Sequence, residues 1–179
     1  MITINNCVIT IKQSVLERGG RAAELARQGD VTARRLIKAD SEQQRTIEVV
    51  RKTLSRYGIP YVEFNAHNFS AAEKRKIKAA DLVVTMGGDG TALNTSHYVA
   101  QGLMLSVNSA PGDSVGHFCH TNRKNFAARF AEILQGRWQP TKLARLATYL
   151  DDKLLPELAL NDVLVAQDCP AATTRYIIE

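Results

Sequence analysis

A short apolar run, Leu82-Val83-Val84-Thr85-Met86, opens at Asp81 and ends in Gly87-Gly88-Asp89-Gly90-Thr91, and the helical pattern of Ala92-Leu93 follows at once. An apolar run, clustered glycines and a helical segment in that order read as strand, tight turn and helix, which commits the chain to a βα unit. Chemistry in α/β folds usually sits at such a turn. Glycines at 87, 88 and 90 remove the Cβ atoms that would keep a phosphate away from the backbone, and they permit positive φ, so successive N–H groups can converge on an anion. The first turn of the following helix adds unsatisfied N–H groups and the positive end of its dipole. A carboxylate in such a loop repels phosphate unless it holds a metal, accepts a proton or binds sugar hydroxyls. Asp89 is therefore a metal-linked residue, a general base or a ribose clamp. Thr91 offers its hydroxyl to phosphate or metal, or it caps the helix.

The flanking elements predict what this unit is built into. Cys7 to Ile11 is a β-branched run suited to a buried first strand, with Lys12 where it meets solvent. Ser14 to about Gln28 is helical, weakened at Gly19-Gly20, and Gly29-Asp30 is a break. Asp40-Ser41 looks like the start of a helix that carries Ile47, Val50 and Leu54 on one face and closes at Tyr57-Gly58. Ile59 to Phe64 is the next strand, with Pro60 at its beginning. Ser70 caps a lysine-rich helix, Ala71 to Ala80, and His67 in the loop before it is either catalytic or, as for most lone loop histidines, simply solvated. The resulting βαβαβ order predicts an α/β domain with a parallel sheet and right-handed crossovers.

Beyond the glycine loop, a helix over Ala92 to Gln101 ends at Gly102, and Leu103 to Asn108 forms a strand that places Asn108 on the same rim as Asp89. The loop from Ser109 to Phe118 is long enough to carry binding residues. Asn122 caps a helix from Phe126 to Gln135, whose Phe126, Phe130, Ile133 and Leu134 form a core stripe. Past Trp138-Gln139-Pro140 the period changes. Leu143 to Leu150, Leu154 to Leu155, Leu158 to Val165 and Arg175 to Ile178 read as short strands, with a turn at Asp151-Asp152. The boundary is set at 138/139, giving an α/β nucleotide-binding domain over 1–138 and the incomplete start of an all-β, sandwich-type domain over 139–179. Within it, Asn161 and Asp162 break an apolar strand, where they are turn residues, hydrogen-bonded or functional.

Composition narrows the classes. With 179 residues, 45% hydrophobic and 6% aromatic, the chain can bury one full domain. The net charge of +5 suits anionic ligands, but the basic residues are spread over helices without interleaved aromatics, so nucleotides rather than nucleic acids are expected. Cys7, Cys119 and Cys169 are too far apart for a disulfide framework or a zinc site. No apolar run approaches the ~20 residues of a membrane span, and no signal peptide opens the chain, so a cytoplasmic protein with no membrane association is expected.

The loop is not a Walker A sequence, because the terminal Lys-Ser/Thr is absent, nor a dinucleotide fingerprint. Gly87-Gly88-Asp89-Gly90-Thr91 resembles the signature of the NAD kinase, diacylglycerol kinase and phosphofructokinase superfamily. Ala159-Leu160-Asn161-Asp162 resembles the Asn-Glu motif of NAD kinases, with Asp162 for the usual Glu. Asn108 and Gly116-His117-Phe118 fall where that family carries an Asn and a Gly-Phe segment, and the long insertion resembles its divergent, mitochondrial-type members. The resemblance implies transfer of the ATP γ-phosphoryl to the 2′-hydroxyl of the adenosine ribose of NAD, giving NADP, with a divalent metal such as magnesium and a homodimer or homotetramer. It implies that Asp89 is the candidate catalytic residue, that Gly87, Gly88, Gly90 and Thr91 hold phosphates, and that Asn161 and Asp162 bind ribose hydroxyls. Asn108, His117 and Phe118 would line the adenine side, although a histidine at 117 departs from the expected aromatic. The chain stops before the second glycine-rich segment of the family, so a fragment with little NAD kinase activity of its own is expected. The alternatives are a lipid kinase of the diacylglycerol type, which usually carries a Gly-Thr-Gly-Asn-Asp-Phe-like segment missing here, and a non-catalytic nucleotide sensor.

Overall fold

A computed structural model describes residues 2–31, 33–112, 114–169, 172–175 and 177. The chain divides into two compact units, Met1–Lys142 and Leu143–Glu179. The first is an α/β unit: β1 Cys7–Ile11, α1 Val15–Arg18, α2 Arg21–Arg27, α3 Arg34–Arg56, β2 Tyr61–Asn65, α4 Ala71–Ala79, β3 Leu82–Gly87, α5 Asp89–Ser96, β4 Leu103–Asn108, β5 Thr121–Asn122 and α6 Phe126–Leu134. The strands form one sheet in the order β2-β1-β3-β4-β5, and every pairing is parallel.

Strand alternation divides the core between two faces. Cys7 and Ile9 of β1, Leu82, Val84 and Met86 of β3, and Leu105 and Val107 of β4 join one cluster with Ile47, Val50 and Leu54 of α3 and Phe126, Phe130 and Ile133 of α6. The spacing of the buried α3 residues Gln43, Thr46, Ile47, Val50, Thr53 and Leu54 is that of one helix face. The opposite sheet face carries Val8 and Val83 against Phe69, Ile77 and Ala80. Its next row is polar: Thr10, Thr85 and Ser106 lie side by side in register, all buried, and the hydroxyls of Thr10 and Thr95 are 3.0 Å apart. Among the described residues the hydroxyls of Thr85 and Ser106 find no partner.

Local signals explain some of the boundaries. At α4, Ser70 accepts from Glu73 N–H at 3.3 Å while the Glu73 carboxylate accepts from Ser70 N–H at 2.7 Å, a reciprocal cap. Replacing Ser70 by Ala is expected to cost ~1 kcal/mol, read as a lower midpoint in urea with an unchanged slope. Gly19 and Gly20, with φ of 75° and 79°, break the first helical segment into α1 and α2.

Several expectations are corrected. The helix expected from Asp40-Ser41 begins at Arg34, because Ala33 N–H bonds to the Asp30 carboxylate at 3.2 Å and the chain turns into the helix there, leaving Asp40 and Ser41 in its interior. The helix expected over Ala92 to Gln101 runs instead from Asp89 to Ser96 and includes part of the glycine loop. Gly102 does not end it; a Cβ there would collide with the carbonyl oxygen of Ala80, so the position serves a close backbone approach. Asn122 lies in β5, a strand absent from the expectation, and the residue before α6 is Asn125, whose side chain accepts from Asn122 N–H at 2.7 Å.

Among its described residues the second unit forms an antiparallel hairpin, β6 Tyr149–Leu150 and β7 Lys153–Leu154, turned at Asp151 and Asp152 with φ of 48° and 60°. Positive φ at both central residues is the tight hairpin turn that follows the twist of the strands. A bridge between Leu146 and Ala159 extends the pairing. The longer strands expected over Leu143 to Leu150 and Leu158 to Val165 do not form otherwise. Of the strand expected over Arg175 to Ile178, residues 176 and 178 lie outside the described residues, and Arg175 and Ile177 are not in a strand.

Candidate active site

The strand order fixes where a ligand fits. From β1 the chain moves outward to β2, then crosses back over β1 to β3 on its other side, so the connections diverge between β1 and β3. Open parallel sheets bind ligands at the carboxyl ends of the strands at such a point. There the first unit has a cleft of about 590 Å³, whose walls include Lys12 and Gln13 after β1, Ala66 and His67 after β2, and Gly88 to Thr91 after β3. Arg18 of α1, Asn94 of α5 and Ser114 complete it.

The glycine loop is the hinge between sheet and helix. Gly87 is the last residue of β3, paired across the sheet with Asn108 of β4, and its carbonyl accepts from Ser109 N–H at 3.0 Å. Gly88 is the residue before α5 and offers no side-chain cap, and the start of the helix from Gly88 to Thr91 lines the cleft. Thr91 is not the cap; it is buried in the first turn, with its N–H on the Gly88 carbonyl at 3.0 Å.

Asp89 is held by the loop that follows β4. One carboxylate oxygen accepts from His117 N–H at 2.8 Å and the other from Phe118 N–H at 2.7 Å. A carboxylate has about four acceptor sites, so these two donors do not saturate it. The thiol of Cys119 lies 4.0 Å from the same carboxylate. Burial first, and the Asp89 charge second, push its pKa up to about 11, so it is a neutral thiol near pH 7.

Asn108 staples the same loop. Its side-chain carbonyl accepts from Ala110 N–H and from the Ser114 hydroxyl, each at 3.2 Å, and its amide donates to the Ser114 carbonyl at 2.9 Å. Gly116, with φ of 71°, packs against that amide. His117 and Phe118 make an edge-to-face pair with centroids 5.1 Å apart.

The first unit therefore brings together Gly87, Gly88, Asp89, Gly90, Thr91, Asn108, His117 and Phe118 on one rim. Asn161 and Asp162 belong to the second unit. They are exposed and outside any strand, and the Asn161 amide donates to Asp162 at 2.7 Å. Sequence reasoning missed the contributions of Lys12, Gln13, Arg18, Asn94 and Ser114. The signal for the first two was available: residues directly after β1 share a rim with residues directly after β3 in any parallel sheet. Arg18 and Ser114 are placed by loops and short helices whose path has no sequence signature.

These features define an α/β protein of the parallel-sheet class with a glycine-loop cleft at its switch point. No family model matches the chain. It is 33% identical over 147 residues to a "Probable NADH kinase" of Oryza sativa subsp. japonica, covering 73% of this chain and 44% of that protein. It is 34% identical over 95 residues to an "NADH kinase" of Arabidopsis thaliana, covering 44% of this chain and 30% of that one. To an "NAD kinase" of Aromatoleum aromaticum it is 34% identical over 104 residues, 56% of this chain and 34% of the relative. The chain belongs to the NAD kinase family and spans less than half the length of these relatives.

Proposed function

We propose that this chain is the nucleotide-binding portion of an NAD kinase, in which the γ-phosphoryl of ATP passes to the 2′-hydroxyl of the adenosine ribose of NAD, giving NADP and ADP. The observation that carries the reading is a glycine loop at the β1/β3 switch point, with a carboxylate at the first position of α5 facing an open cleft. Relatives named as NAD and NADH kinases supply the acceptor.

Phosphoryl transfer asks for positioning and charge neutralisation more than for covalent chemistry. The backbone of Gly87, Gly88 and Gly90 would cradle phosphates at the start of α5, and Asp89 would accept the proton of the ribose hydroxyl as the new P–O bond forms. Two backbone N–H groups fix Asp89 in orientation, which is what a base must have before its pKa matters. Asn108, His117 and Phe118 would line the adenine side, and Asn161 and Asp162 of the second unit would bind ribose hydroxyls. On this reading residues 1–138 form the nucleotide-binding domain and 139–179 begin the NAD-binding domain of a homodimer or homotetramer.

Among the described residues no group of three His, Cys, Asp or Glu side chains gathers to cage a metal. Magnesium held by the nucleotide phosphates themselves would need no such cage. Bound that way, magnesium supplies charge neutralisation on the phosphates. Among the described residues no helix is long and apolar enough to cross a membrane.

The test is calorimetric titration of the chain with ATP and with NAD, paired with a sensitive assay for phosphorylated product. Expected are measurable heat with ATP, and traces of NADP from ATP and NAD but no phosphatidic acid from ATP and diacylglycerol. Lipid phosphorylation would overturn the reading in favour of a lipid kinase. Nucleotide binding with no NADP at any protein concentration would leave a sensor in its place.

A further inference from the structure

The glycine loop carries no cation of its own: residues 87 to 96 contain neither Lys nor Arg. A polyphosphate laid on it brings several negative charges to a site whose own carboxylate, Asp89, adds one more. Backbone N–H groups and a helix dipole offset part of that, yet phosphoryl-transfer sites ordinarily add a fixed side-chain cation. The cation must come from another element.

A second cleft, of about 260 Å³, lies along the other flank of the loop, with Ser14, Arg35, Leu36, Gln43, Gly87 and Ser109 among its lining residues. Gly88 and Ser114 line both clefts, and so does one cationic residue, Lys12. Arg18 reaches only the first cleft and Arg35 only the second.

The backbone of Lys12 is clamped at both of its polar groups. Its N–H donates to the Met86 carbonyl at 2.8 Å, and its carbonyl accepts from the buried Gln43 amide at 2.6 Å. A Cβ built on Gly87 would come to 3.0 Å from the Cβ of Lys12, so the lysine stem starts directly beside the loop. The side chain is exposed, and no carboxylate among the described residues lies within 4.0 Å of its ammonium. An ordinary solvated lysine has no such mounting. Here the backbone is fixed between β3 and α3, and among the described residues no carboxylate pairs with the charge.

We propose that Lys12 is the phosphate-binding cation of this site, set beside Gly87 and Gly88 so that a polyphosphate passing over the loop meets its ammonium from either cleft. The assignment rests on the kinase reading above and adds to it the residue that neutralises the donor phosphates. Lysine suits the place because a point charge on a flexible stem can follow phosphates along the loop, whereas a planar guanidinium prefers one bidentate geometry.

The experiment titrates the 179-residue chain with inorganic tripolyphosphate and with ATP across a range of salt concentrations. Lys12→Gln should weaken both ligands roughly 10-fold or more, the usual size of a lost charge-assisted hydrogen bond, and should flatten the salt dependence. Lys12→Arg, which keeps the charge but not the point-charge geometry, should recover part of the affinity, which a merely structural role would not explain. Arg129→Gln, which removes a surface cation paired with Glu132 at 2.8 Å, should change nothing. The midpoint of thermal unfolding should be the same for Lys12→Gln and the parent chain, since only an exposed side chain is altered. Parent-like affinity in Lys12→Gln overturns this assignment and leaves the kinase reading standing. A parent chain that binds neither ligand overturns both.

Discussion

Gly87→Ala is expected to lower the stability of the first unit and to abolish binding of phosphate ligands, while Gly90→Ala is expected to leave the fold intact. A methyl group on Gly87 would overlap the Thr91 hydroxyl, stand 2.8 Å from Thr91 Cβ and 3.0 Å from Lys12 Cβ. Neither neighbour can step aside, because Thr91 is buried in the first turn of α5 and the Lys12 backbone is held by β3 and α3. Overpacking of this kind costs roughly 1–3 kcal/mol, and a chain of this size loses about 2–4 °C of thermal midpoint per kcal/mol. The strain also falls on the residues that open the cleft, so tripolyphosphate affinity should go with it. Gly90 has nothing within 4 Å of its would-be Cβ and sits inside a helix. Alanine there should raise stability by up to about 1 kcal/mol while narrowing the approach of a ligand to the backbone. Thermal unfolding and titration of the two variants check both halves, and an unshifted midpoint for Gly87→Ala would contradict the packing argument.

The opposite effects expected at 87 and 90 show which part of the site could be read from the sequence. Glycines clustered after an apolar run give a strand, a turn and a helix, and β3 and α5 take that order. The reason for each glycine was not legible, since it depends on Lys12 and Thr91 arriving beside Gly87 from other parts of the chain. The same division runs through the fold. Residues 7–11, 82–87 and 103–108 form strands because β-branched and apolar side chains are buried on both faces of a covered parallel sheet. The two-residue β5 is held by two register pairs with β4, and no composition signal marks so short an element. The start of α3 was missed because Asp40-Ser41 has the chemistry of a cap, while the residue that turns the chain, Asp30, lies ten positions earlier behind a glycine.

The hydroxyl row on the α5 face bears on the site as well. Of this row, Thr10 meets α5 through the Thr95 hydroxyl at 3.0 Å, and the buried residues of that helix, Thr91, Ala92, Thr95 and Ser96, are small side chains throughout. The first turn of α5 follows β3 directly, since β3 ends at Gly87 and the helix begins at Asp89. In the sequence these positions read only as interruptions of apolar strands. Their purpose appears once the register aligns them.

On the kinase reading proposed above, Asp89→Asn should lower NADP formation by roughly 10²–10⁴, the usual worth of a positioned base, while ATP affinity changes little. The same substitution has a structural consequence that can be measured independently. The carboxylate accepts one N–H on each oxygen, from His117 and from Phe118, whereas an amide has one acceptor oxygen and presents N–H groups on its other side. One backbone donor must lose its partner, at a cost of about 1–3 kcal/mol for a buried group, and Phe118 is partly buried here. Hydrogen exchange at the amides of 117 and 118 should therefore quicken by about 5- to 100-fold while the amides of β3 and β4 stay protected. Asp89→Glu separates the two roles: it restores an acceptor on each oxygen but displaces the charge by one methylene. If Asp89 serves only to hold the loop, Glu should recover turnover wherever it recovers amide protection. If Asp89 is the base, protection should return in the Glu variant while turnover stays low, because proton transfer depends on a placement that a longer side chain does not reproduce.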